Sequence, residues 1–133
     1  MRIVDVEGVG PAYAAKLDAA GVKNTDDLLD RAAKPAGRKK LAEETGITEK
    51  LILEWVNHAD LARIPGVGSE YSDLLEAAGV DSPAELARRK AANLATTFQE
   101  LNVARGTVRR VPSEATIAGW IEAAQKLPKV VEH

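Results

Sequence analysis

The chain has 133 residues, of which 45% are hydrophobic and 29% charged, with a net charge of −2 and no cysteine. That balance describes a globular chain with enough apolar residues for one modest core. It excludes a disordered polymer, a disulfide-stapled fold and a thiolate metal site. A general basic field is excluded as well: residues 1–60 carry nine Lys/Arg against eleven Asp/Glu, and residues 61–133 carry nine against nine. Any contact with nucleic acid must therefore rest on local geometry.

Aromatic residues make up only 4% of the chain, and its abundant alanine and leucine suit packed helices better than a sheet. No apolar run approaches the ~20 residues that span a bilayer. Met1–Gly8 also lacks the apolar stretch of a signal peptide. The expectation is a cytoplasmic protein with no membrane contact. The closing Val131-Glu132-His133 is compatible with a vector-tag remnant and is assigned no function.

In chain order, Pro11–Ala20 places Tyr13, Leu17 and Ala20 at helical spacing, with Gly21 as a C-terminal stop. Asn24 or Thr25 caps a second helix bearing Leu28, Leu29 and Ala32, with Asp26 and Asp27 in its first turn. Lys34-Pro35-Ala36-Gly37 reads as a break, and Arg38–Thr45 as a short third helix. Thr48 caps a longer fourth helix, Thr48–Ala62, with one stripe of Leu51, Ile52, Trp55, Val56 and Ala59. The order then recurs. Ser69–Ala78 carries Tyr71, Leu74 and Leu75 and stops at Gly79. Ser82-Pro83-Ala84-Glu85 is a capping box with proline at the first helical position. Leu94, Phe98 and Leu101 mark another helix. Ser113 caps the last one, with Ile117, Trp120, Ile121, Ala124 and Leu127 as its stripe and Pro128 just beyond.

The recurrence is written in the residues. Gly8–Val22 and Gly66–Val80 share nine of fifteen positions, 58 residues apart, including Gly-Val-Gly, the tyrosine and the closing Ala-Ala-Gly-Val. One structural unit used twice accounts for this. Trp55 and Trp120 correspond at an offset of 65, so the second copy carries extra residues, placed at 103–111. The expected organisation is a first repeat over 1–60 and a second over 61–133, packed as one pseudo-two-fold, all-α domain of about eight short helices. The stripe of the last helix is expected to cover the first Gly-Val-Gly turn, within one chain or across a swapped dimer.

Two glycines one residue apart, opening a helix after an apolar residue, indicate a turn that needs positive φ or close backbone approach. Outward N–H groups at such a turn favour an anion. Gly-x-Gly-x-x-Gly is incomplete, because Tyr13 and Tyr71 occupy the third glycine position, and no Gly-Lys-Ser/Thr follows. Arg-Ile-Pro-Gly-Val-Gly-Ser-Glu-Tyr and the helix that follows it resemble a helix-hairpin-helix unit. The tandem order and Thr45–Leu61 resemble an uncharacterised bacterial family, domain of unknown function 4332, over roughly residues 3–127. The helix-hairpin-helix resemblance implies backbone contacts to DNA phosphates without base reading, here from Gly8, Val9 and Gly10 and from Gly66, Val67 and Gly68. Where DNA-binding members carry Lys or Arg after the second glycine, this chain has Pro11-Ala12 and Ser69-Glu70, with Asp73 one turn later. Pro11 has no N–H.

Three basic clusters stand outside the turns. Arg38-Lys39-Lys40 and Arg88-Arg89-Lys90 read first as solvated helix faces, with phosphate neutralisation as the alternative. Arg105, Arg109 and Arg110 fall in the stretch without a counterpart, where function concentrates. His58 reads as a surface or boundary residue, and Trp55, Trp120, Tyr13 and Tyr71 as core. Glu43-Glu44 and Asp26-Asp27 diverge on their helices and form no acid/base pair. No nucleophile–base spacing and no set of metal ligands emerges, so the expectation is a protein that is not an enzyme and takes no cofactor or metal. Two partner classes remain open. One is the DNA phosphate backbone, held at the hairpins and nearby arginines. The other is a protein partner, with purely structural hairpins.

Overall fold

The computed structural model describes residues 1–106 and 108–133. Among the described residues the chain is all-α: α1 Gly10–Ala19, α2 Thr25–Ala32, α3 Pro35–Thr45, α4 Glu49–Leu61, α5 Ser69–Ala77, α6 Pro83–Leu86, α7 Ala91–Arg105 and α8 Glu114–Lys126, preceded by a 3-10 turn at Ile3–Asp5. It divides into unit 1, Met1–Asp60 with Val130–His133, and unit 2, Leu61–Lys129.

Unit 1 closes around Leu17, Leu28, Leu41, Ile52 and Val56, each fully buried, and Trp55, which is nearly so. The caps come from the expected side chains: the Asp27 amide donates to Asn24 Oδ1 at 2.8 Å, and the Leu51 amide to Thr48 Oγ1 at 3.3 Å. Arg31 ties the end of α2 to the end of α1, donating to the Ala20 carbonyl at 2.7 Å while pairing with Glu44 at 2.8 Å. Val22 follows Gly21 (φ +89°) and donates back to the Leu17 carbonyl at 2.8 Å, which satisfies an orphan carbonyl of α1.

Several readings of unit 1 need correction. Lys34–Gly37 is not a break throughout. Lys34 is the N-cap, and Pro35, Ala36 and Gly37 already belong to α3, since proline needs no N–H in a first turn. Gly37 is there for lack of room, because a Cβ would lie 2.0 Å from the Arg31 carbonyl oxygen. His58, expected near the surface, is only 7% exposed. Val131-Glu132-His133 is an integral part of unit 1. Val131 is 1% exposed within its core. The Glu132 amide donates to the Ala33 carbonyl at 2.8 Å, and a His133 ring nitrogen lies 3.0 Å from Asn57 Oδ1.

Unit 2 buries Leu74, Leu75, Leu86, Leu94, Phe98, Ile117 and Trp120. Ser82 accepts from the Glu85 amide at 3.1 Å, yet the capping box starts a helix of only four residues. Ser113 caps α8, accepting from the Thr116 amide at 3.2 Å. The stripe of α8 lies in this core, where Trp120 meets Tyr71 at a ring-centroid distance of 5.2 Å and a tilt of 52°. This corrects the expectation that the stripe covers the first Gly-Val-Gly turn. In unit 1 it is Trp55 of α4 that meets Tyr13, also at 5.2 Å, with a tilt of 58°. Each tyrosine is thus met by the tryptophan that follows it in the chain, and each apolar stripe is buried locally. The additional residues of unit 2, placed at 103–111, divide between a longer helix and a loop. α7 runs to Arg105, closed by Gly106 in the left-handed region, and Thr107 lies outside the described residues.

Candidate functional site

The two Gly-Val-Gly turns share their first half. Gly8 and Gly66 have φ of +86° and +87°, and a Cβ there would meet Trp55 Nε1 at 3.6 Å and Trp120 Nε1 at 3.3 Å. The left-handed backbone makes any side chain strained at both positions, and at Gly66 the tryptophan edge adds a tight contact. The valine of each turn faces inward, Val9 at 1% and Val67 at 4% exposure. The Val9 amide donates to the Val6 carbonyl at 3.1 Å and the Val67 amide to the Ile64 carbonyl at 3.0 Å. These two amides are therefore committed to the turns. The expectation that Val9 and Val67 contact phosphate is corrected to that extent, and the glycines and the helix starts behind them are what remain.

The second halves differ. Gly10 is the first residue of α1 and has φ +65°, a left-handed backbone that glycine adopts without strain. Pro11 then removes an amide from the opening turn. Gly68 is instead extended, at φ −94° and ψ −167°, and is the N-cap of α5 without a capping side chain. The start of α1, with Val9 as N-cap, likewise has no side-chain cap, and the dipole of either helix favours negative charge at its start. Glu70, exposed in the first turn of α5, opposes an anion by on the order of 1 kcal/mol.

The second turn also has a neighbour that the first lacks. Tyr71, one turn into α5, rests its ring on Trp120 and extends its hydroxyl to the Arg110 carbonyl, a bond of 3.1 Å. The loop is pinned again at Val108, which is 5% exposed and donates its amide to Asn102 Oδ1 at 3.0 Å. Between these anchors Arg109 and Arg110 are exposed. Tyr71, Arg110, Val111, Pro112, Ser113 and Thr116 line a cleft of about 500 Å³. The structure thus joins the Gly66–Gly68 turn helix to Arg109 and Arg110 through one tyrosine. Arg105, also exposed, ends α7, and no described hydrogen bond ties it to Tyr71. From sequence Tyr71 reads as core only. Its hydroxyl is the functional group that such a reading misses, and a tyrosine shared by both copies beside a stretch present in one is the available signal.

In each of the other basic clusters one arginine is engaged in structure, while Lys39 and Lys40 stay exposed. Arg38 is 4% exposed and donates to the carbonyls of Ala32 and Ala33, each at 3.0 Å, and of Glu132 at 2.7 Å. Burial lowers its pKa, opposed by the charges of Glu49 and Glu132. It is a structural latch rather than part of a solvated face. Arg89 donates to the Gly79 carbonyl at 3.3 Å and pairs with Glu85 at 3.1 Å, much as Arg31 holds Ala20. Arg88 and Lys90 stay exposed. Among the described residues, no three His, Cys, Asp or Glu side chains come together as a metal would require. None of the described helices is long and apolar enough to cross a membrane.

The family model described as Domain of unknown function (DUF4332) matches residues 7–127. No curated protein and no solved structure matches the chain.

Proposed function

The chain belongs to the DUF4332 family, and we propose that it is a non-catalytic binding module of helix-hairpin-helix type whose unit 2 holds a nucleic-acid phosphate backbone without reading base sequence. The observation that carries this reading is the bond from Tyr71 to the Arg110 carbonyl. It fixes a basic loop beside a helix start that has no side-chain cap. Arg109 and Arg110 supply counter-charge, the opening turn of α5 supplies oriented amides, and neither group addresses base edges. The first turn has Pro11 at the same place and no arginine loop, so the reading assigns binding to unit 2.

The test is a titration of a mixed-sequence duplex at several salt concentrations. Affinity should fall steeply between about 50 and 200 mM salt and change little with sequence. The pair Arg109→Glu and Arg110→Glu should weaken binding and lower the salt slope by about one for each phosphate no longer neutralised. Absence of binding by the folded protein at ~50 mM salt contradicts the reading.

A second reading has its own support. Both valine amides are used inside the turns and both first glycines sit against tryptophan, which is what purely structural hairpins of a protein-interaction module require. In that case DNA titrations of the unsubstituted protein are flat at every salt concentration, and the two glutamate substitutions change nothing.

A further inference from the structure

The corner between the second and third helices is filled by the chain's last residues in unit 1, whereas in unit 2 Gln125 of α8 reaches the Ala87 carbonyl at 3.4 Å and a cleft remains beside it. In unit 1 the corner is formed by Ala32, Ala33 and Lys34 at the start of α3. An extended segment lies in it: Val131 is buried, the backbone of Glu132 bonds both Ala33 and Arg38, and the Glu132 carboxylate stands 3.9 Å from Lys34 Nζ. In unit 2 the same corner, between α6 and α7, again has a lysine as N-cap, Lys90. There a cleft of about 250 Å³ is lined by Arg88, Arg89, Lys90, Asn93, Leu94 and Thr97. Arg89 is occupied by Gly79 and Glu85. Arg88 keeps a loose 3.7 Å pair with Glu85 and is 74% exposed, and Lys90 is exposed.

We propose that this cleft of unit 2 docks an extended peptide of a protein partner in which an apolar residue is followed by a carboxylate, the pattern of the chain's own Val131-Glu132. Three features of the molecule favour that occupant. The chain itself shows an apolar–acidic segment seated at such a corner. The cleft presents two exposed cations at its rim for the acid, and it reaches down to Leu94, which is 2% exposed, at its base. Unit 2 has leucine at position 94, four residues into the helix from its N-cap, where unit 1 has the backbone-gripping Arg38. In unit 2 the grip therefore passes from the peptide backbone to the peptide carboxylate, which makes the acidic residue the determinant of binding. The inference stands apart from the phosphate reading, which uses Tyr71, Arg109 and Arg110.

The probe is a capped peptide with the sequence of residues 129–133, titrated into the whole protein while backbone amide shifts are followed. Weak binding is expected, with a Kd on the order of 1 mM for so short a segment. The moving amides should be those of Arg88–Thr97. The same peptide with its glutamate changed to glutamine should bind about tenfold more weakly, the effect of removing one charge-assisted hydrogen bond. Arg88→Glu with Lys90→Glu, two exposed positions, should remove the response and leave Tm unchanged. Shifts confined to Ala33, Lys34 and Arg38 would mean that the peptide only exchanges with the resident segment, and would overturn the proposal. So would equal binding of the glutamine peptide, or no shifts at millimolar peptide. A mixed-sequence duplex that moves the Arg88–Thr97 amides while the peptide does not would assign the cleft to phosphates and equally overturn it.

Discussion

Units 1 and 2 build the same tyrosine–tryptophan contact and then part company at their edges. Unit 1 turns one basic side chain inward and ties two others down at its surface: Arg38 is buried on three carbonyls, Arg31 bonds Ala20, and the exposed Lys34 stands near Glu132. Its corner is filled by residues 130–133. Unit 2 has no buried arginine among its described residues. It holds Arg109 and Arg110 out on an anchored loop and leaves a cleft at the Arg88–Lys90 corner. The lesson is that neighbouring basic residues divide by burial: Arg38 holds structure together, while Lys39 and Lys40 beside it, like Arg109 and Arg110 of unit 2, stay exposed. Burial of a guanidinium is tolerated only with its hydrogen bonds supplied, which is what the carbonyls around Arg38 do.

The comparison can be broken most forcefully at Gly37. Gly37→Ala drives a methyl group into the Arg31 carbonyl, and a destabilisation of about 3 kcal/mol is expected from thermal or urea unfolding. The positional counterpart three residues after the other lysine N-cap, Asn93→Ala, should change stability by less than about 0.5 kcal/mol, as an exposed site does. Next comes Arg38→Met, which takes a donor from three carbonyls, of which Ala33 keeps the Glu132 amide, and should cost about 2–3 kcal/mol. Hydrogen exchange should then rise first in α2, α3 and residues 130–133, with α5–α8 keeping their protection. A smaller effect sharpens the comparison at the turns. Gly66→Ala and Gly8→Ala both place a side chain at positive φ, at a cost of about 1–2 kcal/mol. Gly66 should be the more sensitive, because Trp120 stands 3.3 Å from the new methyl and Trp55 stands 3.6 Å from the other. The smallest expected effect is that of Tyr71→Phe. It removes one exposed hydrogen bond to the Arg110 carbonyl, with about 0.5–1 kcal/mol of stability, and loosens the arginine loop while Tyr13→Phe leaves that loop untouched.

Much of the helical order is legible in the sequence because it rests on local signals. Asn24, Thr48, Ser82 and Ser113 all cap the helices they introduce, and Gly21 and Gly79 end theirs in the left-handed region. What escapes the sequence depends on residues distant along the chain. Arg38 looks like part of a solvated Arg-Lys-Lys run until Ala33 and Glu132 are brought around it. Val131 looks like a tail until its burial is seen. Gly37 reads with its proline as a break, whereas the close approach of the Arg31 carbonyl, not flexibility, requires it. The length of α6 is equally hidden, since a capping box marks where a helix starts and not where it stops. At the site, Gly8 and Gly66 are legible as turn glycines. That the valine amides are consumed internally, and that Tyr71 reaches Arg110, depends on the folded turn and on a loop 39 residues away.

The central claim is that the two units differ in function because only unit 2 joins a Gly-Val-Gly turn to exposed arginines. Its most direct test is a map of backbone amide shifts while a mixed-sequence duplex is titrated into the folded protein at ~50 mM salt, where phosphate contacts are strong. The account predicts shifts at Gly66–Tyr71 and at 108–116, with Gly8–Tyr13 unmoved. Equal shifts at both turns, or none at either, would contradict it.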